Sequence, residues 1–164
     1  MQPQTSIPKN TSSTVRQRTK SRRILLDWLN LPDPLEQSAE RFWRRHPEVL
    51  RPLGKHGYRV LAAVRRHLRN AWAAEDARAA DWFLTVALVE YARSANAFFW
   101  LSPALPQGGE GFFHEAIGYA RRHIGQMLVC RNPDCLAKYR FRKQRSQRYC
   151  GADCFNEKRS QRAH

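Results

Sequence analysis

Four cysteines are the residues of this chain whose type and spacing point most directly to chemistry. They form two close pairs: four residues separate Cys130 from Cys135, and three separate Cys150 from Cys154. Two such pairs joined by a short loop bring four thiolates face to face, as tetrahedral zinc requires. Four sulfur ligands leave no coordination position for water or substrate. The spacing therefore predicts one structural zinc ion rather than a catalytic one.

The residues around the cysteines predict a small finger over residues 127–164. Asn132-Pro133-Asp134 forms a turn whose backbone N–H groups can donate to the sulfurs. Residues 139–142 alternate aromatic and basic side chains, which suits a short β-hairpin. Residues 155–159 have helical character, so Cys154 is expected in a first helical turn, where the helix dipole favours a thiolate. Knuckle, hairpin and helix together indicate a treble-clef-like finger.

Other uses of the four cysteines stay open. Disulfides require an oxidising compartment, and no secretory signal is visible in the sequence. Free structural thiols would make the paired spacing accidental. A redox-active metal or an iron–sulfur cluster is also compatible with four thiolates, although the loop spacing is more typical of zinc. Zinc is the favoured interpretation.

The basic charge of the chain is concentrated at its two ends. The formal net charge is +15. Residues 1–26 carry six basic and no acidic side chains, and residues 130–164 carry ten basic and three acidic ones, which leaves only +2 for residues 27–129. This balance favours an anionic partner, with nucleic acid first and an acidic protein or a membrane surface second.

The basic residues of the finger are the candidates for contacts with phosphates. They are Lys138, Arg140, Arg142, Lys143, Arg145, Arg148, Lys158 and Arg159. The aromatic residues Tyr139, Phe141 and Tyr149 are interpreted as the small core of the finger rather than as stacking groups for bases. The basic N-terminal segment is expected to add a flexible, non-specific grip on phosphates.

The elements that must position these residues are helices. The predicted fold is mainly α, with a helical bundle body and the small zinc finger at its C-terminal end. We expect a disordered basic tail over residues 1–22, a helical domain over 23–126 and the four-cysteine zinc finger over 127–164. Apolar residues recur at helical spacing through the body and predict four or five helices.

Two local features of the body give sharper expectations. Asp33 precedes Pro34 and Glu36, so we predict a helix that Asp33 caps and that ends near His46. Gly54 and Gly57 are interpreted as a loop between helices.

The cysteine segments resemble a known family of fingers. The stretches Cys130–Cys135, Tyr139–Phe141 and Arg148–Asn156 are similar to the CGNR zinc finger, which ends many bacterial proteins described as stress-related transcriptional regulators. The resemblance covers roughly residues 127–160. It implies a helical N-terminal domain, a zinc-binding finger and a role in binding DNA.

The resemblance is incomplete on one side of the finger and extends faintly into the body. The family has Gly-Asn-Arg after the last cysteine, whereas this chain has Phe155-Asn156-Glu157. In the body, Leu26–Asn30 is similar to a Leu-Asp-aromatic-x-Asn motif near the start of the family's helical domain.

The sequence therefore predicts a zinc-finger nucleic-acid-binding protein, in particular a DNA-binding transcriptional regulator. The alternative is a zinc-stabilised module that docks an acidic protein partner. No enzyme is predicted: phosphate-binding loops and nucleophile elbows are missing, and His114-Glu115 lacks the second histidine of a zinc protease because position 118 is Gly118. We further expect a cytoplasmic protein without membrane contact that can form a homodimer through its helical body.

Overall fold

The computed structural model has six helices among its described residues, so the mainly α prediction is confirmed. It describes the backbone of residues 11–47, 49, 54–99 and 110–161, and the side chains of 19–47, 49, 55–93 and 113–157. The helices are α1 (Thr11–Leu29), α2 (Leu35–Arg45), α3 (Gly54–Ala73), α4 (Ala77–Phe99), α5 (Glu110–Arg122) and α6 (Ala152–Gln161). A short 3₁₀ turn, Ile124–Gln126, leads into strand β1 (Met127–Val129), and strand β2 is Tyr139–Phe141.

Helix α1 begins inside the segment for which the sequence predicts disorder. It starts at Thr11, so the disorder prediction is wrong for residues 11–22, while residues 1–10 lie outside the described part of the chain. Ser21 is buried, and its hydroxyl donates a hydrogen bond of 3.3 Å to Oε2 of Glu115 on α5. Residues farther along α1 are buried in the core and stabilise the helix there. Extending a formed helix costs far less than starting one.

The start of α2 differs from the predicted cap. Asp33 does not cap the helix, because the residue at the cap position is Pro34 and it makes no side-chain capping bond. The carboxylate of Asp33 instead pairs with Arg65 and Arg69 of α3. Helix α2 ends at Arg45, one residue before the predicted limit at His46.

The predicted loop at Gly54 and Gly57 is wrong, because both glycines lie in the first turns of α3. A glycine in the interior of a helix costs about 1 kcal/mol relative to alanine. The same helix buries Val60, Leu61, Val64 and Leu68. Burying one such side chain is worth about 1.5–3 kcal/mol, so packing outweighs the poor helix propensity of the glycines.

The centre of the helical body is an aromatic cluster around Trp28 of α1. The ring centroid of Trp28 lies 5.0 Å from Phe42, 5.7 Å from Trp43 and 5.9 Å from Phe113. All four side chains are almost completely buried. Trp28 thereby joins helices α1, α2 and α5 in one core.

The two strands form a hairpin that enters this core. They pair antiparallel, with Met127 opposite Phe141 and Val129 opposite Tyr139. A strand over part of residues 139–142 is therefore confirmed, but its partner precedes the first cysteine, so the turn of the hairpin is the cysteine knuckle itself. Met127 and Phe141 belong to the same buried cluster as the helices. The finger is thus packed into the helical body and does not stand apart from it.

Candidate metal centre

The first cysteine pair is held by the turn between β1 and β2. Cys130 follows β1 directly, and its N–H donates to the carbonyl of Lys138 at 2.8 Å. The N–H of Cys135 donates to the carbonyl of Asn132 at 3.3 Å, which closes the turn. These backbone hydrogen bonds place both members of this pair in one turn.

The second pair approaches the first from α6. Cys150 lies just before this helix and Cys154 lies in its first turn, as the sequence predicts. The N–H of Cys150 donates to Sγ of Cys130 at 3.3 Å, which joins the two pairs directly. The N–H of Arg131 also donates to the carbonyl of Arg148 at 3.1 Å, so the backbone on either side of the pairs is connected.

The four sulfur atoms lie close enough together to hold one metal ion. All of them lie within 4.8 Å of one another. Sγ of Cys150 is 3.5 Å from that of Cys135 and 3.2 Å from that of Cys154. Four sulfurs at about 2.3 Å from a tetrahedral zinc ion would be about 3.8 Å apart, whereas a disulfide needs about 2.05 Å. The donor set and its spacing fit a shared ion, and all four cysteines are free thiols.

The surroundings raise the pKa of two of the cysteines and lower that of one. Burial raises the pKa of Cys150, and the neighbouring Cys154 and Cys135 raise it further. The pKa of Cys135 is also raised, chiefly by burial. Burial acts in the same direction on Cys130, but the N–H groups of Asn132 and Cys150 outweigh it and bring the pKa of Cys130 below its ordinary value. A bound divalent cation would supply the positive charge that a cluster of thiolates needs.

Asn132 connects the knuckle to α6. Its side chain is buried, with an exposed fraction of 1%. Its Oδ1 accepts the N–H of Asp134 at 3.1 Å, and its Nδ2 donates to Oε2 of Glu157 at 2.7 Å. Glu157 therefore anchors the knuckle to α6.

Replacing Asn132 is expected to weaken the metal site without removing a ligand. Asn132→Ala deletes both side-chain hydrogen bonds that orient the turn, and the loss of such outer contacts typically lowers metal affinity by about 10–100-fold. Competition with a chromophoric zinc chelator measures the effect. Asn156→Ala, at an exposed position of α6, is the matched control and should leave affinity unchanged. Equal affinities for the two variants would contradict this role for Asn132.

Asn30 and Trp72 hold strand β2 against the helical body. At the C-terminal end of α1, Asn30 accepts the N–H of Tyr139 on Oδ1 at 2.9 Å and donates to the carbonyl of Tyr139 at 3.0 Å. Nε1 of Trp72 on α3 donates to the carbonyl of Arg140 at 2.9 Å. Asn30 thus pairs with the open edge of β2 as a neighbouring strand would.

The aromatic side chains of β2 face helices rather than a separate core of the finger. The ring of Phe141 lies 5.2 Å from Trp72 and 5.3 Å from Tyr119. The guanidinium of Arg69 stacks over Tyr139 at 5.4 Å, and that of Arg22 over Phe141 at 5.6 Å. The interpretation of these aromatics as packing groups is confirmed for Phe141, although the core it fills is that of the whole protein.

Seven of the eight predicted phosphate-contacting residues fall into three groups, and Arg142 is described separately below. Arg140, Lys143, Arg145 and Arg148 are exposed on the finger. Lys138 is half-buried beside the α1–α2 connection. The side chains of Lys158 and Arg159 lie outside the described residues. Among the predicted phosphate-contacting residues whose side chains the structure describes, only those of the first group are exposed.

Arg142 differs from the other finger cations because its guanidinium is bonded within the protein. Its Nε and Nη2 donate to the carbonyl of Gly125 at 2.9 and 2.6 Å, and its Nη1 donates to the carbonyl of Arg145 at 3.1 Å. Arg142 therefore ties the loop after β2 to the 3₁₀ turn. These bonds use three of the five N–H donors of its guanidinium, and its role in contacting phosphates stays a prediction.

Sequence reasoning missed an arginine pair that supports the end of α1. Arg65 is buried in α3, donates to the carbonyl of Leu31 at 3.0 Å and pairs with Asp33. One turn later, Arg69 donates to the carbonyls of Leu29 and Leu31 at 3.0 and 2.7 Å. Burial raises the pKa of Asp33, but the two arginines lower it by more, so the carboxylate titrates below its usual range. The spacing of four between the arginines on one helix is the signal that could have revealed this pair.

The fold and the site define a helical protein with a C-terminal four-cysteine cluster that can hold a metal ion. No known family model, curated protein or solved structure matches the chain. In the part of the chain that the structure describes, no helix combines the length and the apolar character needed to cross a membrane.

Proposed function

We propose that this protein is a zinc-finger nucleic-acid-binding protein, that its ligand is DNA, and that it acts as a transcriptional regulator. The observation that supports this most is the display of Arg140, Lys143, Arg145 and Arg148 on the solvent side of the finger. Exposed guanidinium and ammonium groups neutralise phosphates and release counterions, which gives favourable binding free energy. The similarity to CGNR-type fingers, treble-clef-like in outline, supports the same proposal.

Zinc is the metal that we propose for the four-cysteine centre. Soft thiolate ligands in a tetrahedral set select zinc or iron–sulfur chemistry over harder cations such as magnesium or calcium. A zinc ion bound here would be structural, because four sulfurs complete its coordination. It would link the knuckle, which carries Cys130 and Cys135, to the start of α6 and so hold the basic loop in place.

The centre itself accounts for only part of the local positive charge. A zinc ion with four thiolates carries a formal charge of −2. Arg131 and Arg148 lie beside the ligands along the chain and their backbones are hydrogen-bonded at 3.1 Å, so they are the cations best placed to offset this charge. Arg140, Lys143 and Arg145 remain as exposed cations without that function.

Replacing three exposed finger cations is expected to weaken DNA binding. The variant combines Arg140→Ala, Lys143→Ala and Arg145→Ala. It spares Arg142, whose guanidinium holds the loop, and Arg148, which lies beside the metal ligands. For duplex DNA, each lost phosphate contact should reduce the slope of log affinity against log salt by about 0.9. Gel-shift titrations at several salt concentrations, with zinc content measured on the same samples, test this expectation.

A matched variant and a set of competing ligands complete the experiment. Arg59→Ala, Arg66→Ala and Arg78→Ala remove the same charge from exposed positions of α3 and α4. If the two triple variants bind DNA equally well, the finger is not the binding surface. RNA and an acidic polypeptide are the other ligands. Binding of the polypeptide without binding of either nucleic acid would favour the protein-docking alternative.

Helix α4 supports a homodimer as part of the same proposal. Trp82 and Val89 are exposed by 59% and 45%. They lie seven residues apart and so share one face of the helix. An apolar face of this kind on a regulator suits contact with a second copy of the chain.

A further inference from the structure

A groove separates helix α1 from the finger and has a volume of about 410 Å³. Arg22 and Arg23 contribute the α1 wall, and Arg140 and Lys143 contribute the finger wall. We call it the α1–finger groove. Its volume lies at the lower end of the range for ligand sites.

The α1–finger groove is strongly basic. Among the described residues that line it, Asp27 is the only acid, and its Oδ2 lies 2.9 Å from Nε2 of the buried His46. Gln147, which also lines the groove, uses its side chain to accept the N–H of Lys143 and to donate to the carbonyl of Tyr149. The groups left to meet a ligand are therefore mainly cations.

The two walls are held in a fixed relation to each other. Asn30 makes two hydrogen bonds from the end of α1 to Tyr139 of β2. Arg22, which also lies on the α1 wall, contacts the ring of Phe141 of β2 at 5.6 Å. Because these contacts join α1 to the same strand that carries Arg140, the two walls of the groove are pre-organised for a ligand.

We propose that the α1–finger groove binds the sugar-phosphate backbone of one nucleic-acid strand, with α1 as part of the interface. This inference rests on the proposed function and assigns the binding site within it. Arginine guanidinium groups match phosphate oxygens with paired hydrogen bonds, and three of the four wall cations are arginines. The basic N-terminal segment, expected from the sequence to be a flexible grip, here includes Arg22 and Arg23 at fixed positions in a helix.

The test removes one exposed cation from each wall of the groove. Arg23→Gln combined with Lys143→Gln keeps the buried contacts of α1 and β2 intact, because both side chains are exposed. Arg59→Gln combined with Arg66→Gln on α3 is the control, since it changes the net charge equally away from the groove. Fluorescence anisotropy with labelled duplex and single-stranded DNA is recorded over a salt series, and circular dichroism confirms that every variant is folded.

The groove variant is expected to bind roughly tenfold more weakly than the control variant near physiological salt. The magnitude of its salt slope should fall by about 1.8 on duplex DNA, or about 1.4 on a single strand, for two lost phosphate contacts. If the groove and control variants bind alike while the triple finger variant is impaired, the groove assignment is overturned and the proposed function stands. If the wild-type protein binds no nucleic acid, both are overturned.

Discussion

Removal of the metal from the four-cysteine centre is expected to unfold α6 and the knuckle while most of the helical body persists. Without a cation, sulfurs within 4.8 Å of one another cannot all be thiolates, and the connection between Cys130 and Cys150 loses its strongest link. Structural zinc contributes about 10–16 kcal/mol of apparent binding free energy in isolated fingers. The aromatic core around Trp28 does not depend on this centre, so its helices should remain. Far-UV circular dichroism and amide hydrogen exchange, before and after a chelator under reducing conditions, measure the loss.

A single-ligand variant provides the genetic counterpart of this experiment. Cys135→Ser replaces a thiolate with a poor zinc ligand of similar size, and we expect no stoichiometric metal in the purified variant. Ser146→Ala, at an exposed position in the same loop, is the control and should retain one zinc ion per chain. Reduced wild-type protein that lacks metal, and whose α6 amides exchange equally with and without chelator, would exclude a structural metal centre.

The cysteine cluster could be predicted because its ligands are close in sequence. The separation of Cys130 from Cys135 and of Cys150 from Cys154 allows each pair to meet within one turn, whatever the rest of the chain does. The helical body could be predicted for a similar reason, since a repeat of apolar residues at helical spacing is a local property. The starts of α1 and α3 could not be predicted in this way. Tertiary packing stabilises these helices, so they include residues with a weak helical preference of their own.

The contacts between the finger and the body could not be predicted in the same way. Asn30 bonds to the backbone of Tyr139 across 109 residues, and Trp72 bonds to the backbone of Arg140 across 68. Every residue carries a backbone carbonyl, so a sequence pattern cannot show which one accepts a side-chain hydrogen bond. The hydrogen bonds of Arg142 could not be predicted either, because a cation bonded to carbonyls and a cation facing solvent look alike in a sequence.

These contacts change the expected relation between the two parts of the chain. A linker between a helical domain and a finger would let each unfold alone, but Met127 and Phe141 are buried in the same cluster as the helices. Asn30 also completes the hydrogen bonding of β2 from the end of α1. A metal ion bound by the four cysteines would therefore stabilise a finger whose hairpin already packs against the body. A mutation in that hairpin should therefore also lower the stability of the helices.

Phe141→Ala is expected to destabilise the whole protein by about 3–5 kcal/mol, the cost typical of deleting a buried phenylalanine side chain. Phe141 is 5% exposed and contacts helices α3 and α5 through Trp72 and Tyr119, so its loss leaves a cavity where body and finger meet. Urea unfolding of the cobalt-substituted protein follows both parts at once, with tryptophan fluorescence for the body and cobalt–thiolate absorbance for the finger. Both transitions should shift together to lower urea.

Tyr149→Ala is the matched control for this experiment. Tyr149 is a half-buried aromatic of the same finger whose ring lies 5.6 Å from Phe155 of α6, away from the aromatic core around Trp28. Its replacement should affect the cobalt absorbance more than the fluorescence transition. If Phe141→Ala behaves in the same way and leaves the fluorescence midpoint unchanged, the finger and the body fold independently. A joint shift would instead mean that strand β2 couples occupancy of the metal centre to the stability of the helical body, which includes α1 with Arg22 and Arg23.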